Sequence, residues 1–230
     1  MKKPPTEKSA GDVAREVGRA IISAVPAAGG PLQVAFENFF ASPIEKRKQA
    51  WLEQVAEVLT EVQERIKELT PEKLAENEAF VTVAMQASQI AIRNHQQAKL
   101  EALRNALLNS ALPNPPQEDD QMIFLRLVDQ LTPWHLRLLA LLNSPLEWME
   151  RNKVANPSWS AGSISAVIEH CLPDLHGKRD TYDQLVRDLQ AEGLLGQGQY
   201  VHVMMTGRGM VESRTTDRGR RFIKFITAPA

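Results

Sequence analysis

RDTYDQLVRDLQAEGLLGQGQYVHVMMTGRGMVESRTTDRGRRFIKFI, residues 179–226, is the stretch whose reading decides the fold. It begins as a helix, because Tyr182, Leu185, Val186 and Leu189 recur at three- and four-residue spacings that share one face. Asp183, Arg187, Asp188 and Gln190 fall outside that stripe. Gly193 is the expected stop, since glycine accepts the left-handed conformation that closes a helix, and Leu194 and Leu195 then turn back to the core. Tyr200 to Met205 and Met210 to Thr215 are rich in residues that suit a pleated surface. With Gly207-Arg208-Gly209 between them as a tight reversal, they predict a β-hairpin. Thr216 or Asp217 caps a last helix, with Phe222, Ile223 and Ile226 expected to point inward.

The charge around this stretch differs from that of the whole chain. Overall, 27 Lys+Arg stand against 28 Asp+Glu, a net of -1, so composition does not mark the protein as a polyanion binder. Residues 1–120 hold 14 basic and 17 acidic side chains, whereas residues 121–230 hold 13 and 11. From Val201 onward Arg208, Arg214, Arg218, Arg220, Arg221 and Lys224 are set against Glu212 and Asp217, which concentrates positive charge near the end. A chain of 230 residues can bury a full core without disulfides. Cys171 has no second cysteine to pair with and no secretion-signal pattern opens the chain, so a cytoplasmic location is expected. No apolar run approaches the roughly 20 residues of a spanning helix.

Moving toward the N-terminus, Ile164, Val167, Ile168 and Cys171 mark a helix over 163–171, ahead of a turn through Pro173 and Gly177. Ser144-Pro145 and Thr132-Pro133 each read as a cap followed by a first-turn proline, opening short helices through Trp148 and from Trp134 to Leu142. Ile123, Phe124, Leu127, Val128 and Leu131 give another. Residues 113–120, PNPPQEDD, are the clearest break and the expected linker. Before it, residues 9–112 predict a helical bundle with two long antiparallel helices. One starts at Ser42-Pro43-Ile44-Glu45, a capping box, and carries the seam Trp51, Val55, Val58, Val62, Ile66 and Leu69. The other runs from about Leu74 to Leu112, burying Phe80, Val83, Ala87, Ile90, Leu100, Leu103 and Leu107. Its polar run, with Arg93, His95, Lys99 and Arg104, reads as a solvated face in preference to a contact surface. Residues 1–8 are a charged tail, and Asp12–Val25 and Leu32–Phe40 form an apolar helical pair.

With these helices in place, residues 131–227 resemble the winged helix-turn-helix superfamily. LTPWHLRLL (131–139) resembles its first helix, 163–171 the second and 181–192 the third. Thr216-Asp-Arg-Gly219-Arg-Arg-Phe222 resembles the threonine-x-x-glycine-x-x-phenylalanine helix that closes many bacterial members. The N-terminal part, with its PAAGGP turn (26–31) and KLEALRNA helix (99–106), resembles a set of uncharacterised bacterial helical proteins. The expected fold is therefore mainly α: a long-helix bundle plus a winged-helix domain over 121–230 with a small β-hairpin wing.

The resemblance implies a non-enzymatic binding or regulatory protein. Winged helices often place the third helix in the DNA major groove. On that reading Lys178, Arg179 and Arg187 contact phosphates or bases, and Arg208 and Arg214 act from the wing. Asp180, Asp183, Asp188 and Glu192 oppose it, because they make the same helix acidic, and so DNA and a protein partner both stay open. The long helices suit self-association, while docking of the apolar 21–40 segment on a membrane is the alternative kept behind these. His170, Cys171, Asp174 and His176 are zinc-ligand types, but adjacent residues on a helix face different ways, and a buried cysteine beside surface histidines is the preferred reading. No metal, cofactor or catalytic set is expected.

Overall fold

The computed structural model describes residues 31–229, with side chains from residue 43 onward. The expected tail over 1–8, the helix over 12–25 and the start of the 21–40 segment lie outside the described residues. Among the described residues the protein is mainly helical, with eleven α-helices and one two-stranded antiparallel sheet. It divides into two units, one made of residues up to Gln130 together with Phe225 onward, the other Leu131–Lys224. The division falls after Gln130, and residues 113–120, expected as the linker, lie within the first unit, the last three of them already in a helix.

The first unit contains α1 (Pro31–Arg65), α2 (Pro71–Glu76), α3 (Glu78–Arg93), α4 (Gln97–Ala111) and α5 (Glu118–Gln130). α1 packs on α3 and α4, and α5 packs on the same two. Trp51, Val55, Val58 and Val62 of the expected seam are buried, joined by Leu59. Ile66 and Leu69 are only half-buried, because the helix has already ended at Arg65. The Ser42–Glu45 capping box does not start a helix: Pro43 lies inside α1, where its missing N–H leaves one turn without its hydrogen bond.

The long helix expected over 74–112 is instead three. Asn77 ends α2 and caps α3, its Oδ1 accepting from the Phe80 amide at 3.1 Å. Asn94 takes an extended conformation and donates from Nδ2 to Ile90 O at 2.8 Å, satisfying a carbonyl at the end of α3. Phe80, Val83, Ala87, Ile90, Leu103 and Leu107 are buried as expected, whereas Leu100 is half-buried and its neighbour Lys99 is 6% exposed. Lys99 Nζ donates to Asp129 O at 2.7 Å, Arg93 pairs with the Asp129 carboxylate at 3.0 Å, and Arg104 pairs with Glu61 at 2.7 Å. The polar run is thus tied largely to its own unit, with His95 left exposed. Burial holds the Lys99 amine below its ordinary pKa, the nearby Asp129 carboxylate working the other way.

Further contacts close this unit. The Trp51 indole donates to Ser88 Oγ at 2.8 Å, and Ser88 donates on to Ala84 O. Asn105 and Asn109 of α4 donate to the carbonyls of Ile226, Phe225 and Thr227, the groups a helix leaves bare at its C-terminus. Phe225 packs against Phe124 with ring centroids 5.7 Å apart.

The second unit contains α6 (Pro133–Asn143), α7 (Pro145–Arg151), β1 (Ala161–Gly162), α8 (Ile164–Cys171), a 3-10 turn (Pro173–Leu175) and α9 (Arg179–Ala191). β2 (Met205–Thr206), α10 (Gly207–Met210) and the start of α11 (Asp217–Ile226) follow. α6 packs on α7, α8 and α9. Gly193, at φ 68°, closes α9 as expected: its amide reaches Gln190 O and that of Leu194 reaches Leu189 O.

The expected hairpin is not formed. Thr206 pairs with Ala161 and Met205 with Gly162, so the strand's partner comes from before α8, and residues 207–210 are a helical turn. The glycines of the Gly207-Arg208-Gly209 tip take no positive φ. Gly207 serves close approach instead, since a Cβ there would lie 1.6 Å from Trp159 O. Val201, read as a strand residue, is buried, and its carbonyl accepts from Ser165 N at 2.9 Å. Pleat-friendly residues have gone into packing, as β-propensity allows when context differs. The second expected strand keeps a single bridge, Thr215 to Leu195.

The closing motif can be read atom by atom. Thr216 Oγ1 donates to Gly193 O at 2.6 Å and accepts from Gly219 N at 3.0 Å, capping α11. Gly219 lets the helix reach the Leu194 carbonyl, which a Cβ would approach to 2.2 Å, and Phe222 is fully buried. Ile223 and Ile226, expected inside, are half-buried, and Phe225 takes the inner position.

Candidate functional site

The exposed side of α9 and the segment after it form the candidate surface. Tyr182, Leu185, Val186 and Leu189 are buried, which fixes the helix's rotation and leaves Asp180, Thr181, Gln184 and Arg187 outward. Two of its three carboxylates, Asp183 and Asp188, are already engaged, and Glu192 lies just past its end. Asp183 Oδ1 lies 2.7 Å from His202 Nε2, and its Oδ2 lies 3.6 Å from Arg179 Nε. Asp188 Oδ2 meets His135 Nε2 at 3.2 Å, and its Oδ1 accepts from Gln184 at 2.7 Å. His135 Nδ1 accepts from the Thr132 amide, so the ring proton belongs on Nε2, where it is donated to Asp188. The acidity read from α9 is therefore partly matched by cationic and hydrogen-bonding neighbours.

Of the sequence-predicted residues, Lys178 and Arg179 lie exposed at the start of α9, and Arg187 lies exposed on it, donating to Gln184 at 2.8 Å. Arg208 is exposed on α10. Arg214 is not brought to this group. It is half-buried, donates to Gly209 O, meets Met205 Sδ at 3.4 Å and stacks 5.5 Å over the Tyr200 ring. Burial pushes the Tyr200 hydroxyl up from its ordinary pKa.

What the sequence reading missed is the segment Val201–Met204. Val201 and the His202–Asp183 pair anchor one side and the β1–β2 pairing the other, and between them Val203 is 53% exposed and Met204 75% exposed. A signal was present: in VHVMM (201–205) an apolar residue stands on both faces of any strand, which a one-sided hairpin does not explain. The zinc-type residues go separate ways: Cys171 is buried, His170 Nε2 meets Ala155 O at 2.7 Å and His176 Nδ1 meets Glu169 at 3.3 Å. Among the described residues no helix is long and apolar enough to cross a membrane. No protein-family model matches the chain, and neither a curated protein nor a solved structure matches it.

Proposed function

We propose that the protein is a non-catalytic binding protein whose second unit meets a protein partner through α9 and the Val201–Met204 segment. The observation that carries this is the adjacent exposure of Val203 and Met204 on a segment fastened at both ends. Two apolar side chains held in solvent gain from being covered by another apolar surface, at about 25 cal/mol per Å² buried. The resemblance to a winged helix, through three helices at α6, α8 and α9 and the Thr216–Phe222 closure, fits a binding role toward protein or DNA alike, and it lacks the hairpin expected as the wing. Duplex DNA is the second reading, favoured by the exposure of Lys178, Arg187 and Arg208.

A mobility shift with duplex DNA at two salt concentrations separates the two. Three phosphate contacts would weaken binding roughly 40-fold between ~50 and ~200 mM salt, at a slope of about -0.9 per phosphate. The protein reading expects no such retardation. Salt-steep binding that weakens in Arg187→Ala and Arg208→Ala would replace it with the DNA reading.

A further inference from the structure

Tyr200 and Met205 bracket the exposed pair, and one residue touches both. The Arg214 guanidinium lies over the Tyr200 ring, 5.5 Å from its centroid, and its Nη2 donates to Met205 Sδ at 3.4 Å and to Gly209 O. Between those two feet the chain turns, with Tyr200 O accepting from Val203 N at 3.3 Å. The bonds of Val201 and His202 run outward instead, to Ser165 of α8 and Asp183 of α9.

Arg214 is itself held by its backbone. Its N–H donates to Leu142 O, a carbonyl left bare in the last turn of α6, and its own carbonyl accepts from Gly196 N, each at 2.9 Å. The side chain therefore starts from a fixed point in the second unit. Its charge is met by an aromatic face, a thioether and a backbone carbonyl. A planar fork can serve all three at once, and a lysine ammonium cannot. We infer that Arg214 is a positioning residue, a clasp that shuts the Tyr200–Met205 turn and keeps Val203 and Met204 displayed. On an open turn the two side chains are free to fold back on their own surface; on a closed one they meet a partner with their ordering already done. The clasp is a property of the free chain, and its effect on a partner rests on the reading proposed above. Arg214 thus serves the surface from behind it, the reverse of the direct contact that the sequence suggests.

Amide hydrogen exchange on the full chain tests the clasp in Arg214→Lys and Arg214→Met. Lysine keeps the charge and methionine much of the length, and neither keeps the fork. Amides of 201–205 should exchange roughly tenfold faster in both variants, which is what losing a hydrogen bond of ordinary worth does to a local opening. Those of α8 should keep their rate. Unchanged exchange at 201–205, equal acceleration of α8, or wild-type rates in Arg214→Lys would overturn the clasp. If the variants fail to fold, NMR of the native chain decides: the Arg214 guanidinium should give a resolved, slowly rotating signal, and an averaged one like that of a solvated arginine would overturn it. A photo-crosslinking amino acid at position 204 reads the consequence. Adduct yield should fall several-fold in Arg214→Lys, and an undiminished yield beside faster exchange would overturn the display role while leaving the partner reading in place. No adduct from the otherwise unmodified chain would sink that reading instead, with the exchange rates still deciding the clasp.

Discussion

Gly219 carries no side chain, and that is what lets α11 meet the Leu194 carbonyl. Gly219→Ala would put Cβ 2.2 Å from that oxygen, which is backbone and cannot swing away. We expect a loss of about 1–3 kcal/mol, the range of overpacking, read as a lower urea midpoint. An unchanged midpoint would mean that the helix closes elsewhere. Cys171 gives a prediction of another kind. Burial pushes its thiol up from 9.0 to about 11, so the fold prefers the protonated form. That preference has no effect on stability below the unfolded value and removes stability as pH rises from there through the folded one. Cys171→Ser should therefore flatten the alkaline decline of stability, and the native thiol should react with a thiol reagent far more slowly than in the unfolded chain. Rapid native labelling would contradict the burial. At this scale the Thr216 cap and the inward Phe222 were legible, because a threonine ahead of a helix and a phenylalanine on its apolar face each have one strong physical use, whereas the close approach that Gly219 permits was not. The burial of Lys99 and Asn105 was not, since it depends on partners distant in sequence.

Elements with an apolar face were read well, and the places where they stop were not. The seam of α1 and the inner faces of α3 and α4 follow from spacing alone. The breaks at Asn77 and Asn94 involve neither proline nor glycine, and asparagine ends a helix only by what its side chain bonds to. The hairpin failed for a related reason: a strand's partner is a tertiary fact, and here it is β1, more than 40 positions upstream. The asparagines of α4 offer a test at this scale. Asn109 Nδ2 serves two carbonyls, Phe225 O at 2.9 Å and Thr227 O at 2.8 Å. Asn109→Ala should cost about 0.5–1.5 kcal/mol, the net worth of an ordinary hydrogen bond, since water reaches the more exposed carbonyl, and Asn109→Asp should cost more by turning a carboxylate toward them. Calorimetry showing Asp no worse than Ala would remove the clasp from the account.

For the whole molecule, the chain leaves its first unit at Gln130 and returns at Phe225, so the first unit is made of two separate pieces of sequence. The proline-rich stretch 113–120 looked like a linker because composition marks turns; whether such a turn separates domains depends on packing that composition does not encode. A chain ending at Lys224 would lack Phe225, which packs on Phe124, and the carbonyls bonded by Asn105 and Asn109. It should unfold at lower temperature than the full chain, and an equal midpoint would show that the tail adds nothing. The functional claim rests on the apolar pair presented beside α9. The most direct measurement places a photo-crosslinking amino acid in living cells at position 204, with exposed position 212 as control. The account predicts one protein adduct of defined mass at 204, lost when Val203→Asp is added, and none at 212. No adduct at 204, or the same adducts at both positions, would contradict it.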